Sequence, residues 1–425
     1  MHGLRCPYAV NTIDPVASRS EVTGEWRDLL QLSSLRTAGL STAQSLCFAS
    51  LEMTDERPGS IATQLSLSMP TTRLHRHLRY SHPMNVAPMN AEEVVALTRA
   101  LVDIESITGN EAAVGEFLHT ELVRLGYHSQ KMPVEGDRCN IFATSPQRPQ
   151  PEIVFSTHMD TVPPFIPSSE DAARIYGRGA CDAKGIIAAQ IAASEKLHTA
   201  GIFPGLLFLV GEERDSLGAK VANHQPNKCK FLINGEPTEN HIAIASKGSL
   251  RVEVVAEGRM AHSAYPELGE SAIDKLLEAL RRLRAMKLPA EEEIGPCTMN
   301  IGVIEGGRAP NVISDHARAK LLYRLIGPAK QIREEIEQAI AELAKAEFTL
   351  EIPFVRLRRL EFLPTMIAAF TTDIPALTNW GEPLLLGPGS IHVAHTEGEY
   401  IEKKQLNDAV DIYSSIARQL TTAAI

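Results

Sequence analysis

Three short apolar runs in the middle of the chain constrain its fold more than any other feature. The runs are IVF (153–155), LLFLV (206–210) and FLI (231–233), and between the first two lies IIAAQIAASEKLHTAG, a segment of small and apolar residues that predicts a helix. Short runs rich in branched and aromatic residues are typical of buried strands. Buried strands that alternate with helices predict a mostly parallel central sheet flanked by helices on both faces, which is the α/β class.

A change of pattern at about residue 247 predicts a second domain inserted into the first. The segments from SLRVEVVAEGRM to EFTLEIPFV follow the order β-α-β-β-α-β, which is the order of a ferredoxin-like α+β sandwich. The predicted bounds are 90–246 and 356–425 for the first domain and 247–355 for the insertion. The chain has to return to the first sheet after the insertion, because another histidine motif lies near residue 395.

Residues 1–85 differ from the rest of the chain. They mix Ser, Thr, Arg and Leu without a sustained period, and their start has no apolar segment of signal-peptide length. We expect a disordered extension, or translated sequence upstream of the true start, with Met84 or Met89 as the initiator. A transit peptide is the alternative, although the segment is more acidic than such peptides usually are.

The composition restricts the classes of partner and compartment. The 425 residues carry a net charge of −10 with a pI near 5.8, which argues against nucleic acid or an anionic membrane as a partner. No apolar run approaches the roughly 20 residues that a membrane-spanning helix needs. Six cysteines without CxxC spacing indicate neither a thiolate metal site nor a disulfide framework, so we expect a cytoplasmic protein.

Acidic and histidine residues follow the predicted strands, at the edge where open parallel sheets bind their ligands. Any one motif is ordinary, because loop acids are usually solvated and a lone histidine is more often structural. Several such motifs together are different, because buried carboxylates need a compensating cation. The motifs THMD, GRGACDAKG, GEE, NGEPT and AHTEGEY supply His158, Asp160, Asp182, Glu212, Glu213, Glu236 and His395.

The residue types in these motifs predict a centre for two metal ions. Two histidines and three carboxylates without cysteine suit zinc, with cobalt or manganese as substitutes. The charges of Asp182, Glu213, Glu236 and a hydroxide would balance two divalent cations. Glu212 is then a free carboxylate beside an activated water, which is what a general base requires.

From about Asn90 onwards the chain resembles the dizinc amidohydrolases that include acetylornithine deacetylase, succinyl-diaminopimelate desuccinylase, aminoacylase and glutamate carboxypeptidase. The resemblance rests on the five motifs in order and on the inserted domain. It implies that Asp182 bridges the two zinc ions and that a cis peptide bond follows it. It assigns the remaining roles as follows: His158 and Glu236 on one zinc, Glu213 and His395 on the other, Asp160 against the His158 ring, and Glu212 as general base.

Further candidates lie in the inserted domain and in a late glycine-rich loop. By the same resemblance His262 would stabilise the oxyanion, often from a neighbouring subunit, which implies a homodimer through the inserted domain. Asn311 and Arg324 match contacts to the substrate carboxylate and the oxyanion. For His262 and Arg324 the alternatives are a surface histidine and a strand-face arginine. Gly387 and Gly389 would let backbone N–H groups approach a substrate carboxylate.

These residues favour hydrolysis of an amide bond in an N-acyl amino acid, in the manner of the deacetylases and desuccinylases. Glu212 would deprotonate the attacking water, the metals would polarise the carbonyl, and His262 would stabilise the oxyanion. The alternative is a dizinc carboxypeptidase or dipeptidase that acts on small peptides. Outside the enzymes, a metal-binding relative without turnover is a third hypothesis.

Two departures from the family pattern lie near the expected substrate. Arg214 and Asp215 follow the paired acids where relatives often have small or apolar residues, and HTEGEY replaces the HxxDE pattern. The acyl group and the amino acid of the substrate are therefore not assigned.

Overall fold

The computed structural model describes residues 88–422, so the predicted N-terminal extension lies outside the described residues. None of the helices in this range is both long and apolar enough to cross a bilayer. The helices α1–α7 are Ala91–Val102, Ala112–Arg124, Lys184–His198, Leu217–Asn223, Ala272–Ala285, Ala329–Ile340 and Lys403–Thr422. The strands β1–β18 are His128–Glu135, Arg138–Thr144, Ile153–His158, Ser169–Glu170, Arg174–Tyr176, Gly205–Leu209, Phe231–Asn234, Ile242–Ser246, Gly248–Glu257, Ala290–Glu291, Gly295–Pro296, Thr298–Gly306, His316–Leu325, Lys345–Ile352, Val355–Arg356, Thr365–Ala368, Glu382–Leu385 and Tyr400–Glu402.

A large mixed sheet forms the first part of the fold. Its strand order is β1-β2-β6-β3-β7-β17-β8-β15, with β16 alongside β8. Strand β3 runs parallel to both β6 and β7, and β7 runs parallel to β17. The pairs β1–β2, β2–β6 and β8–β15 are antiparallel. The predicted α/β class is confirmed, and the parallel strands lie at the centre of the sheet.

Burial on both faces explains why the central strands are continuously apolar. Every residue of β3 and β6 is buried. Alternate side chains point to opposite faces, so Phe155 and Phe208 join the core formed with α3 and α7, while Val154 and Leu207 join the core around Trp380. Helix α3 is itself almost wholly buried, which explains why small alanines replace the usual amphipathic pattern there.

The insertion forms a second, four-stranded sheet in the order β12-β13-β9-β14, with all neighbours antiparallel. Helices α5 and α6 pack on one face of this sheet through the buried residues of β9 and β13. The chain order β9, α5, β12, β13, α6, β14 matches the predicted β-α-β-β-α-β order. The opposite face of the sheet carries Arg251 and Arg324.

Candidate metal centre

The predicted ligands come together at the carboxyl ends of three neighbouring strands. His158 is the last residue of β3. Glu212 and Glu213 follow a turn after β6 in which Gly211 has a φ of 78°, and Glu236 follows β7. Because β3 is parallel to both neighbours, these three ends lie at one edge of the sheet.

Asp182 lies between the two histidines of the centre. It precedes α3, and the peptide bond between Asp182 and Ala183 is cis, as the resemblance implied. Its Oδ1 is 3.0 Å from the Nε2 of His158, and its Oδ2 is 3.4 Å from the Nε2 of His395. The same His395 nitrogen is 3.0 Å from Glu213 Oε1. One Asp182 oxygen therefore faces each histidine, which is the arrangement that a bridging carboxylate requires.

The donor set fits a divalent cation. Ligand atoms of His158, Asp182 and Glu213 all lie within 4.8 Å of one another. Glu236 is buried, and its Oε1 has no hydrogen-bond partner among residues 88–422. Burial raises the pKa of the Glu236 carboxyl well above its usual range, so its ionised form needs a nearby positive charge. Imidazole and carboxylate donors without thiolates are typical of zinc and similar metals.

Carboxylates dominate the electrostatics of the centre. Burial opposes the charged form of His158, but the Asp160 and Asp182 carboxylates hold the pKa of its imidazole well above the usual range. Hydrogen bonds to Asp182 and Glu213 raise the pKa of His395 to about 10. The excess negative charge favours a cation here, and a metal that binds these imidazoles displaces their second proton.

Asp160 holds the loop of the paired acids as well as the imidazole. The Nδ1 of His158 is 3.0 Å from the Asp160 main-chain oxygen and 3.5 Å from its carboxylate. That carboxylate accepts hydrogen bonds from the backbone N–H of Glu212 at 3.1 Å, from the N–H of Glu213 at 3.2 Å, and from the Thr108 hydroxyl at 2.8 Å. Strand β3 ends at His158, so Asp160 lies in the loop that follows the strand.

Glu212 is positioned differently from the other acids. Within residues 88–422 its carboxylate makes no side-chain hydrogen bond or ion pair, while burial and the nearby Glu236 charge raise the pKa of Glu212 well above its usual range. It lines a cavity of about 520 Å³ together with Asp182, Glu213, Glu236 and His395. Arg251 and Arg324 from the four-stranded sheet line the same cavity. Arg214 lines it too, so a free acid, four of the five candidate ligands and three guanidinium groups share one space.

Glu399 is a buried residue of the centre that the sequence did not indicate. Its Oε1 accepts hydrogen bonds from the backbone N–H groups of Gly179, Cys181 and Asp182 at 2.9, 3.1 and 3.1 Å. Its Oε2 accepts one from Arg178 at 2.6 Å. Glu399 therefore fixes the loop that presents Asp182. One feature of the sequence could have identified Glu399. In HTEGEY this residue occupies the final position of the HxxDE pattern, and only Gly398 departs from that pattern.

Two predicted residues of the insertion lie apart from the cavity within this chain. His262 and Val312 form an isolated β-bridge, and the N–H of Ser263 donates to the Asn311 carbonyl at 3.0 Å. His262 and Asn311 are thus neighbours, but neither lines the cavity that contains Glu212. Arg324, by contrast, does line it.

The glycine-rich loop has a different role from the one expected. The N–H of Gly387 donates to the Thr238 hydroxyl at 2.9 Å, and the N–H of Gly389 donates to Gln405 Oε1 at 2.9 Å. Both groups therefore have acceptors inside the protein. A Cβ on Gly387 would lie 2.5 Å from the Glu236 carbonyl oxygen, and one on Gly389 would lie 2.5 Å from Cys181 Sγ. The glycines let the loop pack closely against the segments that carry Glu236 and Asp182.

Known proteins are similar to this chain in sequence and in fold. Residues 244–349 match the peptidase dimerisation domain family. The chain is 39% identical to a probable carboxypeptidase of Aspergillus clavatus, over 78% of this chain and 83% of the relative. It is 36% identical to a peptidase M20 domain-containing protein of Schizosaccharomyces pombe, over 76% and 83%. A tripeptidase of Staphylococcus aureus has the same fold, with a TM-score of 0.67, 24% identity and coverage of 78% and 100%.

The fold and the acidic centre define a metal-dependent hydrolase with an inserted dimerisation domain. The chain belongs to the M20 peptidase family. Proteins of this family are metallopeptidases, which agrees with the cluster of His158, Asp182 and Glu213.

Glu399 is expected to support metal binding by holding the loop of Asp182. Glu399→Gln removes the negative charge that Arg178 and three backbone N–H groups share, so the loop of Asp182 loses its anchor. We expect zinc affinity to fall about 10- to 100-fold, the usual effect of losing a group that orients a metal ligand. Competition with a chelator measures this affinity, and thermal unfolding verifies that the variant is folded.

Glu397→Gln is the matched control, because Glu397 is exposed two residues earlier in the same turn. A folded Glu399→Gln protein with unchanged zinc affinity would show that Glu399 does not support the centre.

Proposed function

We propose that this protein is a dizinc carboxypeptidase that acts on small peptides, in preference to the deacylation of N-acyl amino acids. The peptidase hypothesis was the alternative at the level of sequence. It is now favoured because the relatives described above are named as peptidases, and a probable carboxypeptidase is among them. Cobalt and manganese remain substitutes that the ligand types allow.

The observation that carries the proposal is the position of Asp182 between His158 and His395. It supports one metal held by His158, Glu236 and Asp182, and a second held by Asp182, Glu213 and His395. When bound, the two cations supply the positive charge that activates water and polarises the scissile carbonyl.

Glu212 is the proposed general base. Its carboxylate is not committed to any side-chain partner among the described residues and lies in the same cavity as the ligands. It takes a proton from the attacking water and then passes that proton to the leaving amine. Burial and the Glu236 charge raise the pKa of Glu212, and a carboxylate with a raised pKa is a better proton acceptor.

Arg324 supports cleavage at the C-terminal end of the peptide. Its guanidinium lines the cavity, is only partly exposed and forms no ion pair with a carboxylate in the described part of the chain. Burial lowers the pKa of Arg324, and the neighbouring Arg251 charge adds to that effect. A free α-carboxylate of the substrate would pair with this guanidinium and place the last peptide bond at the metals.

We further propose a homodimer in which residues 247–355 form the dimerisation domain and residues 90–246 and 356–425 form the catalytic domain. Strand β12 is an outer strand with exposed Val303 and Ile304. His262 and Asn311 lie outside the Glu212 cavity of their own chain. The partner's insertion would therefore supply the oxyanion contact. A monomer in sedimentation experiments at assay concentrations would contradict this arrangement.

A panel of blocked peptides tests the direction of cleavage. We expect N-acetyl-Ala-Ala-Ala to be hydrolysed and Ala-Ala-Ala-amide to be hydrolysed roughly 10- to 100-fold more slowly, because the amide removes the charge-assisted pair with Arg324. Liquid chromatography identifies the released residue.

Preferred hydrolysis of Ala-Ala-Ala-amide would instead indicate an aminopeptidase. Release of acetate from N-acetylalanine as the fastest reaction would restore the deacylase hypothesis.

Replacement of the general base gives an independent test. Glu212→Gln keeps the shape of the side chain but removes its proton acceptor, so we expect the turnover rate to fall by roughly 10²- to 10⁴-fold. Metal analysis should still find two zinc ions for each chain. Glu397→Gln, in an exposed turn, is the control with normal turnover expected. Near-normal turnover of a zinc-loaded Glu212→Gln protein would refute the assigned role.

A further inference from the structure

Two arginines of the inserted domain point from the same face of its sheet into the cavity. In the pairing of β9 with β13, Arg251 is opposite Leu322 and Arg324 is opposite Ser249. Arg251 and Arg324 therefore occupy diagonal positions, which on an antiparallel sheet lie about 7–8 Å apart. Both line the cavity that contains Glu212.

In the described part of the chain no carboxylate forms an ion pair with Arg251 or Arg324. Arg318 on the same sheet pairs with Glu253 at 3.2 Å and with Glu305 at 2.7 Å. Two like charges without a counter-ion are unfavourable neighbours, so a ligand with two negative charges would be attracted to them.

The surface around Arg251 suits a short aliphatic chain. Leu350 is the β14 residue opposite Arg251. Ile352 is opposite Ser249, which lies between Ile352 and Arg324 in the sheet. Leu350 and Ile352 both line the cavity, as does Phe370, which follows β16. Methylene groups can pack against these apolar side chains while a terminal carboxylate reaches Arg251.

We propose that Arg251 determines specificity, by selecting peptides whose C-terminal residue is aspartate or glutamate. Arg324 binds the α-carboxylate of that residue and Arg251 binds its side-chain carboxylate. This inference rests on the proposed function, because it uses the carboxypeptidase direction to place the C-terminal residue beside Arg324.

The test compares two peptides that differ only in the charge at the proposed subsite. N-acetyl-Ala-Ala-Glu and N-acetyl-Ala-Ala-Gln have nearly the same shape. For the zinc-loaded full chain we expect kcat/KM to be at least about tenfold higher for the glutamate peptide, the effect of one charge-assisted pair. In Arg251→Gln this ratio should fall to about one, and in Arg251→Lys it should be partly restored.

Arg318→Gln is the matched control. Arg318 lies on the same sheet but outside the cavity and is already paired, so the ratio should stay at its original value. A charge reversal adds a gain of function, because Arg251→Glu should favour N-acetyl-Ala-Ala-Lys over the glutamate peptide.

The possible outcomes are distinct. Equal rates for the glutamate and glutamine peptides in the original protein would overturn the role of Arg251 while leaving the carboxypeptidase proposal intact. A preference for glutamate that persists unchanged in a folded Arg251→Gln protein would overturn it as well. Failure to release a C-terminal residue from any of these peptides would overturn both proposals.

Discussion

Negative charge buried at one edge of the large sheet is the constraint on which the rest of the structure depends. Asp182, Glu213 and Glu236 lie close together, and the pKa of Glu236 and Glu213 is raised by burial. A cluster of carboxylates in such a place is unfavourable unless cations or protons compensate it. The parallel arrangement of β6, β3 and β7 brings the acids at their ends together. Metal binding compensates the negative charge of these acids and supplies the cations that the chemistry uses.

Two further acids, Asp160 and Glu399, position the ligands. The Asp160 carboxylate accepts hydrogen bonds from the N–H groups of Glu212 and Glu213. The Glu399 carboxylate accepts hydrogen bonds from three N–H groups around Asp182. Each fixes a loop through its backbone, so the direction of the ligand side chains does not depend on the metal alone. Such support reduces the reorganisation that metal binding requires.

The sequence predicted the parts of the structure that depend on apolar patterning. The runs at 153–155, 206–210 and 231–233 became β3, β6 and β7, because strands buried on both faces have a continuous apolar signature. The inserted β-α-β-β-α-β unit was also recognisable, since its alternating strands and amphipathic helices differ from the first domain.

Contacts between distant segments were the part that sequence could not supply. Glu399 meets the Asp182 loop across more than two hundred residues, and nothing in HTEGEY shows that its last acid is buried against backbone N–H groups. The Gly387 and Gly389 N–H groups were expected to face the substrate, yet they donate hydrogen bonds to the side chains of Thr238 and Gln405. Local spacing identifies which residues can bind, but tertiary packing decides which of their groups remain free.

The central claim is that Asp182 is shared by two metal ions, and anomalous diffraction from crystals of the zinc-loaded protein tests it most directly. The structure leads us to expect two zinc peaks, one on the His158 side and one on the His395 side, each about 2.0–2.2 Å from one Asp182 oxygen. A single peak, or two peaks that do not both contact Asp182, would contradict the account.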